Sequence, residues 1–300
     1  MACLRYVITF ALACISVAGG GPAKAQAPGK LPVVATFSIL ADFARNVGGD
    51  RIAVIALVGP NGDTHVYQPK PADAKELGDA RLILENGLGL EGWIDRLIKA
   101  SGTKAPVIVA TNGISPQPMR EEGRIAQDPH AWQSIANAKI YVANIRDALI
   151  AADPGGASVY RANAEKYLGK LDALEKDVTA AIAKIPPARR QIITTHNAFG
   201  YFGTAYGFRF IAPEGVSTET EASARDVAKI IRQIKTENIP AVFLENVTDA
   251  RLVRSIAAES GAKIGGTLYS DALSSPDGPA GSYIEMMRNN IKQLSAALID

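Results

Sequence analysis

The middle of this chain most limits what it can fold into. From about Ser134 to Ile185 no strand-like run occurs, only helical periodicity broken once at Asp153-Pro154. On either side, short apolar runs alternate with helical stretches. Leu31 to Phe37, Arg51 to Val58, Arg81 to Leu84 and Pro106 to Ala110 read as strands before it. After Pro186-Pro187 the same reading falls on Gln191–Thr195, Phe208–Ala212, Ala241–Leu244 and Lys263–Leu268. Ser38 caps a helical pattern that stops at Gly48-Gly49, and further helices read over Ala224–Glu237, Thr248–Ser260 and Ser282 to Leu298. Strands alternating with helices make mostly parallel sheets. Within the strandless middle, Tyr160, Tyr167, Leu171, Leu174, Val178, Ile182 and Ile185 form one helical stripe. About thirty residues of helix span roughly 45 Å, enough to run along a whole molecule of this size.

The expectation is an α/β protein of two lobes, each with its own core, joined by a long rigid helix. The N-terminal lobe takes residues 26–153, the linking helix 154–187 and the C-terminal lobe 188–300. An ordinary helix pair packed inside one lobe is the alternative. No internal repeat is visible at the residue level.

Residues 1–25 read as a cleaved signal peptide. Arg5 is the positive start, Val7 to Ala18 the apolar region, and Ala23-Lys24-Ala25 the small-residue cleavage site. That apolar run is too short to span a bilayer comfortably. Cys14 after Leu12-Ala13 offers a rival lipidation site, but it leaves a very short apolar region and has Ala11 where a larger residue is usual. Cleavage near Ala25 and release to the periplasm is the preferred reading. Both cysteines, Cys3 and Cys14, lie in this segment, so the mature chain has neither a disulfide nor a thiolate ligand. Losing Arg5 and Lys24 takes the basic residues from 32 to 30, against 30 acids, so the mature charge is zero. A neutral chain with scattered charge gives no case for nucleic acid or an anionic membrane as partner.

The chain has only three histidines, His65, His130 and His196, spaced 65 and 66 residues apart. Each stands in a short polar break. A fourth break, Tyr269-Ser270-Asp271-Ala272, carries a carboxylate 75 residues further on. Parallel α/β sheets bind ligands beyond the carboxyl ends of their strands. His65, His196 and Asp271 each follow a strand, and His130 stands in Asp128-Pro129-His130 just ahead of a helix start. One histidine in a loop is most often solvated or a cap partner. All three in such settings, with a carboxylate completing the series, argue for one site between the lobes. Three imidazoles and a carboxylate are a natural ligand set for a divalent transition metal.

Four segments carry a resemblance: Gly62-Asp63-Thr64-His65-Val66-Tyr67-Gln68-Pro69, Asp128-Pro129-His130-Ala131-Trp132, Thr195-His196-Asn197-Ala198-Phe199-Gly200-Tyr201-Phe202 and Tyr269-Ser270-Asp271-Ala272-Leu273. In order and spacing they resemble the zinc/manganese-binding solute receptors of bacterial metal ABC importers, the cluster A-I (or cluster 9) substrate-binding proteins. Asn86-Gly87-Leu88-Gly89-Leu90-Glu91-Gly92-Trp93 and Val242-Phe243-Leu244-Glu245-Asn246 are also similar to family segments. The resemblance covers essentially the whole mature chain. It implies two lobes bridged by a backbone helix, one ion between them held by His65, His130, His196 and Asp271, an ABC transporter membrane permease as partner, and a monomer. The third ligand position is Glu in manganese-leaning members and His in zinc-leaning or dual ones; here it is His196. The stretch Gly113 to Gln127 contains no histidine, unlike the His-rich loop of many zinc-dedicated members.

Imidazole-rich N/O sites bind Zn²⁺ more tightly than Mn²⁺, so zinc is favoured; a bidentate Asp271 would raise the coordination number and admit Mn²⁺. Glu219, Glu221 and Glu245 are candidates to support the ligands, although for each a surface or cap role is the more ordinary reading. Affinity should fall as pH drops through the histidine range. An exported zinc hydrolase is the enzyme alternative, but it needs an open coordination position and a base, and no His-Glu-x-x-His pair is present. A surface adhesin or organic-ligand receptor is the other rival. Trp93 and Trp132 read as core or lobe-interface residues. The expectation is a metal receptor and not an enzyme.

Overall fold

The computed structural model describes residues 29–121, 124–215, 217–219 and 222–299. The signal-peptide reading, Cys14 and Glu221 lie outside the described residues. In chain order the elements are β1 (Leu31–Phe37), α1 (Ser38–Gly48), β2 (Ile52–Val58), α2 (Pro71–Asp79), β3 (Leu82–Glu85), α3 (Ile94–Ser101), β4 (Val107–Val109) and a hairpin of β5 (Pro118–Glu121) and β6 (Arg124–Gln127). The helices α4 (Ile135–Ala152) and α5 (Ala157–Ile182) follow. The second half is β7 (Gln191–Ile193), α6 (Gly200–Tyr206), β8 (Arg209–Ile211), α7 (Ala224–Glu237), β9 (Ala241–Glu245), α8 (Ala250–Ser260), β10 (Lys263–Leu268) and α9 (Tyr283–Leu298).

Each half builds one four-stranded parallel sheet, in the orders β2-β1-β3-β4 and β10-β9-β7-β8. Counting strands within each half, both sheets have the order 2-1-3-4. The two lobes therefore repeat one topology. At residue level the repetition is hard to see, since it amounts to Leu84-Glu85-Asn86 and Leu244-Glu245-Asn246 at the ends of the two third strands.

Central strands of a parallel sheet are covered on both faces, so they read as continuous apolar runs. Val33, Val34, Ala35 and Phe37 of β1 are all buried accordingly. The strandless middle forms two helices. Asp153 stops α4 and accepts from Arg51 Nη2 at 2.7 Å and Tyr160 Oη at 2.6 Å, which fixes the corner where α5 begins. The linking helix is shorter than its apolar stripe. It has 26 residues, about 39 Å, and Ile185 is buried in the turn that follows. Pro186 and Pro187 explain the stop, because proline supplies no N–H and disfavours helix in the residue before it.

The expectation of a separate core for each lobe is corrected. One core runs from β1–β4 through α1, α4 and α5 into the inner face of the second sheet and α9, taking in Ile192, Phe243, Leu268 and Tyr283. A second, smaller cluster lies under α7 and α8, with Ile193, Ile230, Ile234, Val242, Val253 and Ile256. Period-two alternation along β7 and β9 divides the two: Ile192 and Phe243 face the shared core, Ile193 and Val242 the outer layer.

Candidate metal centre

His65 lies in the turn after β2, and His130 follows β6 just before the helical turn Ala131–Gln133. His196 is three residues past β7, and Asp271 three past β10. All four lie at the carboxyl-terminal edges of the sheets, where the second sheet reverses strand order between β7 and β9. Chain topology leaves a crevice at such a point.

The four side chains converge. One ligand atom from each lies within 4.8 Å of every other. His65 Nε2 is 3.1 Å from His130 Nε2, and His196 Nε2 is 3.0 Å from Asp271 Oδ2. Asp271 Oδ2 stands 3.4 Å from His65 Nε2, and its Oδ1 3.5 Å from His130 Nε2. Ligands placed tetrahedrally at about 2.0–2.1 Å from an ion are about 3.3–3.4 Å apart, close to the three of these distances that apply when Asp271 Oδ2 is the carboxylate donor. The cluster is almost wholly closed to solvent: only His65 is accessible, with 4 % of its side chain exposed.

The far side of each ring fixes what the near side offers. His130 Nδ1 lies 2.7 Å from Asp128 Oδ1, so it carries the proton and Nε2 presents a lone pair to the cluster. His196 Nδ1 is 2.7 Å from Glu245 Oε2, an ion-pair contact whose negative charge favours a proton on that nitrogen. Two imidazole nitrogens 3.1 Å apart, as in His65 and His130, need a proton or a cation between them, because two lone pairs facing each other at this range repel. Burial works against ionising His196 and Asp271, but the charges outweigh it. Glu245 and Asp271 hold the His196 imidazolium well above its ordinary range. His196 and His130 hold the Asp271 carboxyl well below its own.

Backbone bonds set these rings in place. Glu245 Oε1 accepts from the backbone N–H of Thr195 at 2.7 Å and of His196 at 3.0 Å. Asp128 Oδ1 accepts from the His130 N–H at 2.9 Å. Asp63 Oδ1 accepts from the His65 N–H at 2.9 Å, while its Oδ2 accepts from Thr218 Oγ1, across the cleft, at 2.6 Å. At Gly200, the start of α6, a Cβ would crowd Asp128 Oδ2 and force that carboxylate to shift beside His130.

The segment bearing Asp271 belongs to the second lobe by sequence but is tied to the first. Trp132 Nε1 and Gln133 Nε2 both donate to Ser270 O at 2.8 Å. Leu273 N donates to Ser38 Oγ at 3.0 Å, and Tyr283 N to Asp42 Oδ2 at 3.0 Å. Trp132 is thus at the lobe interface, as its sequence setting implied, and Trp93 is core, its Nε1 donating to Thr64 O at 2.9 Å.

Of the three candidate supporting acids, Glu245 touches a ligand directly, which corrects its ordinary reading as a surface or cap residue. Glu219 is exposed. Asp128 is a supporting acid that its sequence setting does not single out, although it stands two residues before His130. A carboxylate at that spacing can fold back on the next imidazole but one, and that spacing was the available signal. The cluster therefore holds three carboxylates, not one, against a divalent charge.

Sequence and fold comparisons bear on this geometry. The profile of the family described as zinc-uptake complex component A, periplasmic, matches residues 33–297. The chain belongs to this family. It is 36% identical over 268 residues to the iron-binding protein YfeA of Yersinia pestis, covering 89% of this chain and 86% of that one. It is 34% identical over 268 residues to the manganese-binding lipoprotein MntA of Halalkalibacterium halodurans, covering 89% and 88%. The solved structure of the periplasmic zinc-binding protein TroA from Treponema pallidum superposes with a TM-score of 0.86 at 31% identity, covering 91% of this chain and all of that one. The two-lobe fold with its long helix is the one this family shares.

Proposed function

We propose that His65, His130, His196 and Asp271 of this protein capture one divalent transition metal ion between the lobes and yield it to the membrane permease of an ABC importer. The protein works in the periplasm, as a monomer. The observation that carries the reading is the convergence of three imidazole Nε2 atoms and one carboxylate in a crevice closed to water. The signal-like start of the sequence supports the periplasmic setting, and among the described residues no helix is long and apolar enough to cross a membrane.

Binding rather than catalysis follows from how the donors are used. Four protein donors close a tetrahedral sphere, whereas a catalytic ion keeps a position for water or substrate. The neighbouring acids Asp128 and Glu245 are each engaged with an imidazole and a backbone N–H. Neither is free to act as a base.

Zinc is the favoured cargo. Three imidazoles suit it once the ion has displaced the proton of His196, and affinity at such a site rises from manganese through iron to zinc. The relatives carry names for iron, manganese and zinc, and Asp271 bound through both oxygens would make room for the larger coordination number of manganese. Competition titration of Zn²⁺ against Mn²⁺, with elemental analysis of protein taken from its own periplasm, tests the choice. Zinc should displace manganese from the site, and manganese retained against excess zinc would reverse the assignment. Alanine at His65, His130, His196 or Asp271 should weaken binding by orders of magnitude while the fold persists. A variant with unchanged affinity removes its residue from the site.

A further inference from the structure

We propose that Asn86 and Asn246 are a matched pair of positioning residues, one in each lobe, that fix two ligands: His130, between β6 and α4 of the first lobe, and Asp271, between β10 and α9 of the second. The proposal rests on the assignment of the four metal ligands.

Both asparagines complete a Leu-Glu-Asn tripeptide at the carboxyl end of the third strand of a 2-1-3-4 sheet, β3 in one lobe and β9 in the other. From there each reaches the backbone that flanks the neighbouring ligand. Asn86 Nδ2 donates to Pro129 O, immediately before His130, at 2.9 Å. Asn246 brackets Asp271 on both sides: its Oδ1 accepts from Ser270 N at 3.3 Å, and its Nδ2 donates to Ala272 O at 3.1 Å. The glutamates of the two tripeptides do not share a task. Glu245 supports His196, while Glu85 touches no ligand among the described residues. What the two lobes have in common at this position is the amide.

The choice of amide has a chemical reason. A carboxamide has donor and acceptor in one plane, so it can hold a carbonyl while its oxygen is itself held. Asn86 does so, its Oδ1 accepting from the Tyr141 hydroxyl. Its own backbone is locked as well, with O accepting from Thr111 Oγ1 at 2.6 Å and N donating to Glu91 Oε1 at 2.7 Å. Asn246 Nδ2 also meets Asn61 Oδ1 of the other lobe at 3.3 Å, so the clamp on Asp271 spans the cleft. Aspartate at either place would lose the donor, and a shorter polar side chain would lose the reach. The loops need such clamps because His130 and Asp271 lie outside regular structure, whereas metal–ligand distances tolerate only about 0.2 Å.

The test is a double-mutant cycle read by zinc affinity against a chelator. Asn86→Ala should weaken zinc binding about ten- to a hundredfold in the otherwise intact protein. In a His130→Ala background it should cost less than about twofold, because no ring remains to be placed. Asn246→Ala should behave in the same way toward Asp271→Ala. The crossed pairs, Asn86→Ala with Asp271→Ala and Asn246→Ala with His130→Ala, should keep the full loss. Equal losses whether or not the matching ligand is present, or single asparagine variants that bind as the unaltered protein does, would overturn the proposal. Asn86 is fully buried; if its alanine variant does not fold, Tyr141→Phe, which frees the Asn86 amide, takes its place with the same pattern expected. Should His130→Ala and Asp271→Ala bind zinc as tightly as the unaltered protein, the ligand assignment itself fails, a result distinct from the failure of the clamp.

Discussion

An imidazole offers two nitrogens, and the contact made by the one turned away from the ion decides what the other can bind. In this protein a carboxylate meets the outer nitrogen of each of two rings: Asp128 is hydrogen-bonded to His130, and the charge of Glu245 lies beside His196, so both favour the tautomer that presents Nε2. Asp128→Asn and Glu245→Gln keep size and shape but give each ring a partner that can also donate, freeing it to tautomerise or turn. Each should weaken zinc binding about ten- to a hundredfold. Unfolding of the metal-free protein should shift much less, since a neutral amide still accepts the backbone N–H bonds. Isothermal competition against a chelator, with thermal melts of the same samples, separates the two effects; loss of stability without loss of affinity would make these acids mere caps. At this scale the sequence was readable only in part. The ligands stood out because imidazoles are scarce here and all lie in loops. Asp128 did not, and Glu245 was only one of three candidate acids, because carboxylates are common and Glu245 stands 49 residues from the ring it supports.

The turn between β3 and α3 is the element on which the first lobe's half of the site depends. Gly87, Leu88 and Gly89 all have positive φ, which for Leu88 is a strained conformation held only by its surroundings. Glu91 supplies them: its carboxylate accepts from Thr36 Oγ1 at 2.6 Å, Asn86 N at 2.7 Å and Gly87 N at 3.1 Å. The same turn leads to Trp93, which holds Thr64 next to His65, and contains Asn86, which holds Pro129 next to His130. Burial, with the charge of Glu85 adding to it, raises the Glu91 pKa from 4.5 to about 7, against the lowering effect of its hydrogen bonds. A group whose folded pKa is raised contributes stability below its unfolded pKa and loses that contribution as pH rises through the folded value. For Glu91 the window is pH 4.5 to about 7, and the loss is on the order of 3 kcal/mol. Glu91→Gln cannot titrate. Urea unfolding of the metal-free proteins should therefore show the unaltered chain losing ground to Glu91→Gln between pH 5 and pH 8, and a constant gap would mean that Glu91 titrates as an exposed acid. The eight strands of the two parallel sheets were legible from their apolar runs, two of them, β1 and β10, to the residue. The β5–β6 hairpin was not, because its register pairs mixed residues such as Arg120 with Ile125 and has no alternating face. Nor could the strained turn be read, since Leu88 at positive φ is a consequence of the bonds around it and leaves no trace in composition.

Two sheets do not make two independently stable lobes here. The main core passes from the first sheet through α4 and α5 to Ile192, Phe243 and α9, and only the layer beneath α7 and α8 stands apart. Local opening follows such divisions, because a unit with few contacts to the rest comes free at lower cost than the whole. The amides of α7 and α8 should therefore exchange with solvent through an opening of lower free energy than those of α1, α4 and α5. Metal makes the test sharper. Lifting α7 and α8 uncovers Ile193 and Val242 on the outer face but leaves the inner faces of β7 and β9, and with them His196 and Glu245, against the shared core. Such an opening does not dismantle the site, and a ligand stabilises only against openings that release it. Saturating zinc should slow exchange in α4 and α5 by several orders of magnitude and leave α7 and α8 nearly as they were. Equal protection of all four helices, followed by mass spectrometry of the exchanged protein, would instead mean that the outer layer and the site open as one unit, with the metal clasping the entire molecule.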